Sequence, residues 1–350
     1  MNAHTSHDMT AQDMTAQDMT AQDMTAQDMR KHNDTANSNN NLDNNWQHTL
    51  AQPIEIGGIG VHSGRFIEVI LHPAPADHGI VFERSDVSDC DSIIPATIEF
   101  AVPHKLCTRI ENKDGVGVNT IEHFMAAFHG MGIDNLRIEI DGPEMPILDG
   151  SATPIFNLLE RAGLIQQDKR RQVITILKEV EVDMGDGVIA KLSPADSLEI
   201  DVSIQFDDQL IGQQSISYTN NSQAFIDELA DARTFCMLRD VEAMRNSGLA
   251  RGGSLDNALV VHDGTVLNEG GLRTTDEFVR HKTLDCLGDL FLLGMAIKAR
   301  LTASKPGHAL STTLLKTLIN TPDAFHIEGH QNAPTHGQWA YPETAVAAHS

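Results

Sequence analysis

At 350 residues, with 41% apolar side chains and a formal charge of −24, the chain is long enough for two ordinary domains. It lacks the basic face that phosphate neutralisation requires, which excludes nucleic acid as its main partner but not a small anion held by a few local cations. Cys90, Cys107, Cys236 and Cys286 show no paired spacing, which points away from a disulfide framework and toward a reducing compartment. No run reaches the ~18 apolar residues of a membrane span, and the N-terminus has no apolar signal core, so a cytoplasmic chain without a transmembrane segment is expected.

Residues 9–28 are four copies of MTAQD, followed by an Asn-rich run. A five-residue period matches neither helix nor strand and offers little apolar area against chain entropy. A disordered extension over 1–47 is predicted, with folding from about His48. Ile54–Ile56 and Phe66–Ile70 alternate like strands around the turn GGIGVHSG, and Gly79–Phe82 and Ile94–Ile98 continue the pattern. His62 in that turn reads as structural. Thr120 is the expected N-cap of a helix Ile121–His129 that stops at Gly130, before a strand Leu136–Ile140. Glu122–His123 pairs a metal-ligand type with a neighbouring base type, but it is not HExxH, so other ligands must come from a distant segment.

A second helix is expected over Phe156–Ile165, and Gln166–Arg171 reads as a connection between domains. The pattern then restarts, with strands over Val173–Val182, Val188–Leu192 and Leu198–Ile204, and a helical segment over Asn220–Ala230. Phe278 begins a long helix predicted to stop before Ser304-Lys305-Pro306-Gly307, with an apolar stripe of Leu284, Leu287, Phe291 and Met295. His281, Asp285 and Asp289 follow at i, i+4 and i+8 on another face. Side chains one turn apart can share a divalent ion, although spacing alone favours a solvated helix pair. The last thirty residues read as a loose tail in which His326, His330, His336 and His349 are incidental. Strands first and helices after, seen twice, make this an α+β chain.

Together TIEH, GIDN, DGPE-x-PI-x-DGSA, ARTF, NEGGLR, FVRHK-x-x-D-x-x-GD and KPGHAL occur in one order. That ordered set resembles the zinc-dependent UDP-3-O-acyl-N-acetylglucosamine deacetylases of Gram-negative bacteria over roughly His48 to Asn320. The resemblance implies two similar α+β domains, 48–169 and 170–320, each a mainly antiparallel sheet with helices, and the helices sandwiched between the two sheets. Residues 1–47 and 321–350 fall outside it. It also implies removal of the 2-acetyl group from UDP-3-O-(3-hydroxyacyl)-N-acetylglucosamine, the committed step of lipid A synthesis, by a monomer.

Carried over by position, the resemblance implies one zinc ion on His123, His281 and Asp285, with water in the open fourth place. Glu122 is then the general base, His308 the general acid, Asp289 the partner of the His308 imidazolium, and Thr234 a donor to the oxyanion. The resemblance places Lys282 and Lys305 near the nucleotide and phosphates, with solvated lysines as the alternative, Phe235 on the substrate, with ordinary core packing as the alternative, and Phe206 against uracil. Leu238, Val241, Leu249, Leu255 and Val260 are the candidates for lining an acyl passage. Cys107 reads as a buried neutral thiol, with capture of a second, inhibitory zinc as the alternative. Another zinc hydrolase and a catalytically silent metal-binding relative are the competing readings.

Overall fold

The computed structural model describes residues 43–329; the MTAQD repeats and His330, His336 and His349 lie outside them. Two sheets carry the chain. The first has the order Ile54–Ile59, Phe66–Pro73, Leu136–Ile140, Ile80–Arg84, Ile93–Pro95. Neighbours in it are antiparallel except the parallel pair Leu136–Ile140 and Ile80–Arg84. The second sheet places Val180–Asp183, Ile189–Ser193, Ala296–Ser304, Leu198–Gln205 and Gln213–Thr219 in the same sequence of directions, again with one parallel pair at the centre. Val173–Ile176 and Phe325–Glu328 extend it beside the start of Ala296–Ser304. The fold is therefore mixed α+β with mainly antiparallel sheets.

Alternation builds these strands. Leu198–Gln205 buries every second residue, as does Leu136–Ile140, so one face of each strand joins the core and the other stays polar. Helix α1 (Glu122–Met131) precedes the central strand of the first sheet and α2 (Thr153–Ala162) follows it. Helix α3 (Leu238–Asn246) has no buried residue. Helix α4 (Glu277–Leu290) precedes the central strand of the second sheet, and α5 (His308–Ile319) follows it. Buried side chains of both sheets and of α1, α2, α4 and α5 form one hydrophobic cluster.

Several sequence expectations change. The long helix from Phe278 stops at Leu290; a 3₁₀ turn leads to Gly294 in the left-handed region, and Ala296–Ser304 is a strand. Ala, Lys, Arg and Leu are good helix formers, but here Ile297, Ala299, Leu301 and Ala303 are all buried while Lys298, Arg300 and Thr302 are not. Met295 thus lies beyond the helix rather than on its stripe. Helix α1 runs through Gly130 to Gly132, which takes φ 73°. Gly130 sits inside the helix because a Cβ there would meet the Phe225 ring.

Thr120 is not the N-cap; Ile121 is. The second helix ends at Ala162, short of Ile165, and the strand Leu164–Arg170, paired with Trp46–Leu50, takes up most of the Gln166–Arg171 stretch expected as a connection. The strand expected over Val173–Val182 is interrupted between Ile176 and Val180. The Asn220–Ala230 segment is a single turn, Ser222–Ala224, running into a π-helix, Phe225–Leu229. Both Trp46 and Phe325–Glu328 are in strands although they lie outside the limits expected for the folded part.

Helices α1 and α4 make the most extensive helix–helix contact among the described residues. Gly288 permits it: a Cβ at this position would collide with the Glu122 carbonyl oxygen and crowd the Ala126 nitrogen. Backbone cannot yield as a flexible side-chain tip can, so Gly288→Ala should destabilise by about 1–3 kcal/mol. A chemical unfolding midpoint indistinguishable from wild type would contradict this close approach.

Candidate metal centre

The start of α1 is held under strain. Thr120, a β-branched residue, sits at φ 57°, a conformation that needs outside support. Its hydroxyl donates to Glu144 Oε1 at 3.2 Å, and the fully buried Glu144 also accepts the backbone N–H groups of His62 and Ser63, each at 2.8 Å. One carboxylate thus ties the glycine-rich turn to the segment that presents Glu122 and His123. In this arrangement the backbone of His62 is structural, while its side chain faces the cavity described below.

Helix α4 brings His281 and Asp285 to His123. The ligand atoms of these three buried residues lie within 4.8 Å of one another, and they form the only such group among the described residues. His281 Nε2 and His123 Nε2 stand 3.4 and 3.7 Å from Asp285 Oδ1. His281 Nδ1 lies 3.0 Å from the Ala232 carbonyl oxygen; donating its proton there leaves Nε2 with a free lone pair. Burial, reinforced by His281, pushes His123 down to about 3, and burial also lowers His281. Both imidazoles are therefore neutral, the form that ligates.

Burial opposes charge on Asp285, but Lys282 and His281 outweigh it and hold the carboxyl well below its ordinary range. Lys282 Nζ donates to Asp285 Oδ2 at 2.9 Å, while Oδ1 is buried with no hydrogen-bond partner among the described residues. An orphaned carboxylate oxygen facing two free imidazole nitrogens is costly without a cation. The residues present fit one divalent ion with a position left open toward the cavity.

Beside this group stand two more titratable side chains. Glu122 Oε2 accepts the Thr108 backbone N–H at 3.0 Å, leaving Oε1 3.6 Å from His308 Nε2. His308 Nδ1 is 3.1 and 3.2 Å from the Asp289 carboxylate oxygens and 2.9 Å from Thr108 Oγ1. Burial pushes Glu122 up to about 7, against the pull of His308. Burial works against charge on His308, yet Asp289 and Glu122 prevail and push its pKa up to about 9. At neutral pH a buried imidazolium therefore faces a carboxyl poised to exchange a proton.

All of these groups except Asp289 and Thr108 line a cavity of about 620 Å³. Thr234, Phe235, Phe206, Lys282 and Lys305 line it too, and the two phenylalanine rings meet edge-on at 5.5 Å. Lys305 Nζ donates to the Asp186 carbonyl oxygen. Leu238, Val241, Leu249, Leu255 and Val260 are not in the wall; Leu238 and Leu255 are largely exposed. Met237, Met244 and Ala250 from the same stretch supply that side instead. Cys107 is buried 3.1 Å from His104 Nδ1, and burial followed by the Glu122 charge raises its thiol pKa, so it stays protonated. His326 lies at the surface beside Glu328. A second cavity of about 220 Å³, lined by residues such as Ile80, Ala96, Phe100 and Met295, contains none of these groups.

Sequence reasoning misses Thr108 and Glu144. Thr108 reaches Asp289 and His308 across 181 and 200 positions, a separation at which no local pattern operates. For Glu144, the run DGPE is visible but its partners in the glycine-rich turn are not.

Comparison with known proteins gives a consistent result. Residues 47–320 match the family described as UDP-3-O-acyl N-acetylglycosamine deacetylase. A UDP-3-O-acyl-N-acetylglucosamine deacetylase of Phenylobacterium zucineum is 48% identical over 282 residues, 81% of this chain and 96% of the relative. Proteins of the same name from Myxococcus xanthus and Anaeromyxobacter sp. are 46% and 44% identical over 281 residues each, 80% of this chain and 88% and 91% of the relatives.

Removing a ligand should empty the centre without unfolding the chain. His281→Ala should lose most bound divalent metal by elemental analysis while the circular dichroism spectrum is retained; undiminished metal content would remove His281 from the ligand set.

Proposed function

The chain belongs to the UDP-3-O-acyl-N-acetylglucosamine deacetylase family and is a deacetylase of lipid A biosynthesis; from that premise we propose that it hydrolyses the 2-acetamido group of UDP-3-O-(3-hydroxyacyl)-N-acetylglucosamine with one zinc ion. The products are acetate and UDP-3-O-(3-hydroxyacyl)-glucosamine. The observation that carries this reading is the placement of Glu122 and His308 at one cavity beside His123, His281 and Asp285. Two neutral imidazoles and a carboxylate suit zinc, and three ligands with an open place suit catalysis rather than structure. When bound there, zinc polarises the amide carbonyl and brings water toward ionisation near neutral pH.

The side chains of the chain carry the protons. Glu122 Oε1, unencumbered because Oε2 is engaged by Thr108 N–H, takes a proton from the attacking water. The Thr234 hydroxyl donates to the oxygen on which negative charge develops. His308, kept cationic by Asp289, donates from Nε2 to the departing amine. Lys282 holds Asp285 ionised and, with Lys305, brings positive charge to an otherwise acidic molecule for the nucleotide phosphates. Phe235 and Phe206 offer aromatic faces to the substrate, with Phe206 serving uracil. The acyl chain follows the side of the cavity formed by Met237, Met244 and Ala250; Leu238, Val241, Leu249, Leu255 and Val260 support that stretch from outside.

Two similar domains, 48–169 and 170–320, are part of the same proposal, with their helices between the sheets. The shared strand order of the two sheets and the matching positions of α1 and α4 support it. No helix among the described residues is long and apolar enough to cross a membrane. This is compatible with a cytoplasmic monomer acting on a UDP-linked, singly acylated sugar.

The direct test is acetate release from the acylated UDP-sugar, abolished by chelation and restored by zinc; metal-loaded, folded protein without activity would refute the reading. Glu122→Ala and His308→Ala should each lower kcat by roughly 10²–10⁴-fold with zinc retained. Loss of zinc from the Glu122 variant would reassign that residue. Asp289→Asn should move the alkaline limb of the kcat/KM profile toward neutrality. The sign follows from His308: its pKa is raised by the Asp289 carboxylate, so removing that charge lets the imidazolium lose its proton at lower pH. An unmoved limb would exclude the pair.

A further inference from the structure

Thr108 touches both proton-handling groups, Glu122 and His308. It is 4% exposed and stands at the start of the strand Arg109–Glu111. Its backbone N–H occupies Glu122 Oε2 at 3.0 Å. Its hydroxyl donates to Asp289 Oδ1 at 2.5 Å and lies 2.9 Å from His308 Nδ1. A hydroxyl has one proton to give and two lone pairs to accept with. With that proton on Asp289, its oxygen is free to accept from the imidazolium Nδ1–H.

His308 Nδ1–H is thereby held between Asp289 and Thr108, and this sets the plane of the ring. The opposite nitrogen, Nε2, then points at Glu122 Oε1, 3.6 Å away. Asp289 belongs to α4 and His308 is the first residue of α5. Both are on the far side of the chain from Thr108 in sequence, so the hydroxyl also fixes the two helices' reactive ends relative to α1. A carboxylate alone constrains an imidazolium less, because either oxygen can follow the ring as it rocks.

We infer that Thr108 is a positioning residue for the deacetylation: its backbone orients the base Glu122, and its hydroxyl orients the acid His308 through a three-centre contact with Asp289. The inference rests on the reading of His308 as the acid. It separates two functions in one residue, because a side-chain change removes the second and leaves the first.

The test is a double-mutant cycle with Thr108→Val and His308→Ala, measured as kcat and KM for acetate release with zinc content monitored. Valine keeps the shape and the backbone N–H but has no hydroxyl. Thr108→Val should lower kcat roughly 10- to 100-fold, less than outright loss of an acid, with KM and zinc unchanged. Thr108→Ser should return kcat to within about threefold of wild type, since the hydroxyl is restored. In the His308→Ala background, Thr108→Val should have no further effect, because residues acting through one another are not additive.

An undiminished rate for Thr108→Val, with His308→Ala impaired, would overturn the inference while leaving the acid in place. An equal loss from Thr108→Val in both backgrounds would make the residue merely structural and overturn it too. If His308→Ala itself were fully active, the reading of the acid would fail first. Should the valine variant not fold, Thr108→Ala enters the same cycle with the same outcomes.

Discussion

The structure depends on how closely α1 and α4 approach. Where Gly288 meets the Glu122 carbonyl, two helices from distant parts of the chain bring His123 within a few ångströms of His281 and Asp285. The first turn of α1 carries Glu122 and His123; successive turns of α4 carry His281, Asp285 and Asp289. A larger residue at the crossing would push apart the segments that carry His123 and the pair His281 and Asp285. The two sheets, with their matching strand orders, give each helix a surface to pack on, and α5 then delivers His308 from its first turn.

That approach concentrates ionisable groups where water is scarce. Burying charge is expensive, and it is tolerated where each charge has a partner. Asp285 has Lys282 on one oxygen, Asp289 has His308 and Thr108, and Glu122 has the Thr108 amide. Within this cluster Asp285 Oδ1 is buried without a hydrogen-bond partner among the described residues, 3.4 and 3.7 Å from His281 Nε2 and His123 Nε2. Burial raises Glu122, whereas the carboxylates of Asp289 and Glu122 raise His308 against burial; the two groups are thereby set apart as a base and an acid, which suits amide hydrolysis. Strain in the backbone at Thr120 and Lys305 falls just before α1 and α5, the helices that begin with Glu122 and His308.

Much of this is legible in the chain because it is local. Leu136–Ile140 and Leu198–Ile204 alternate, and their periodicity survives folding unchanged. The four-residue spacing of His281, Asp285 and Asp289 puts them on one face whatever surrounds the helix. Other parts are set by contacts that leave no local trace. Ala296–Ser304 is rich in helix formers and becomes the central strand of a sheet because its neighbours on both sides need a partner. Gln166–Arg171 is polar enough to read as a linker, yet most of it lies in the strand Leu164–Arg170, which pairs with Trp46–Leu50 across more than a hundred residues. Which side chains of α3 reach the cavity is likewise not written locally: in a helix with no buried residue, Leu238 faces solvent while Met244 lines the cavity. The metal trio itself is ambiguous by spacing and becomes specific only when the ordered motifs are read together.

The central claim is that the buried cluster is built around one divalent cation, and zinc-dependent stability tests it most directly. A ligand that binds only the folded state raises the unfolding midpoint. Titrating zinc into metal-free protein during thermal unfolding should raise the midpoint until one ion per chain is bound, and the rise should be absent in Asp285→Ala. A midpoint indifferent to zinc, or a rise of the same size without Asp285, would contradict the account.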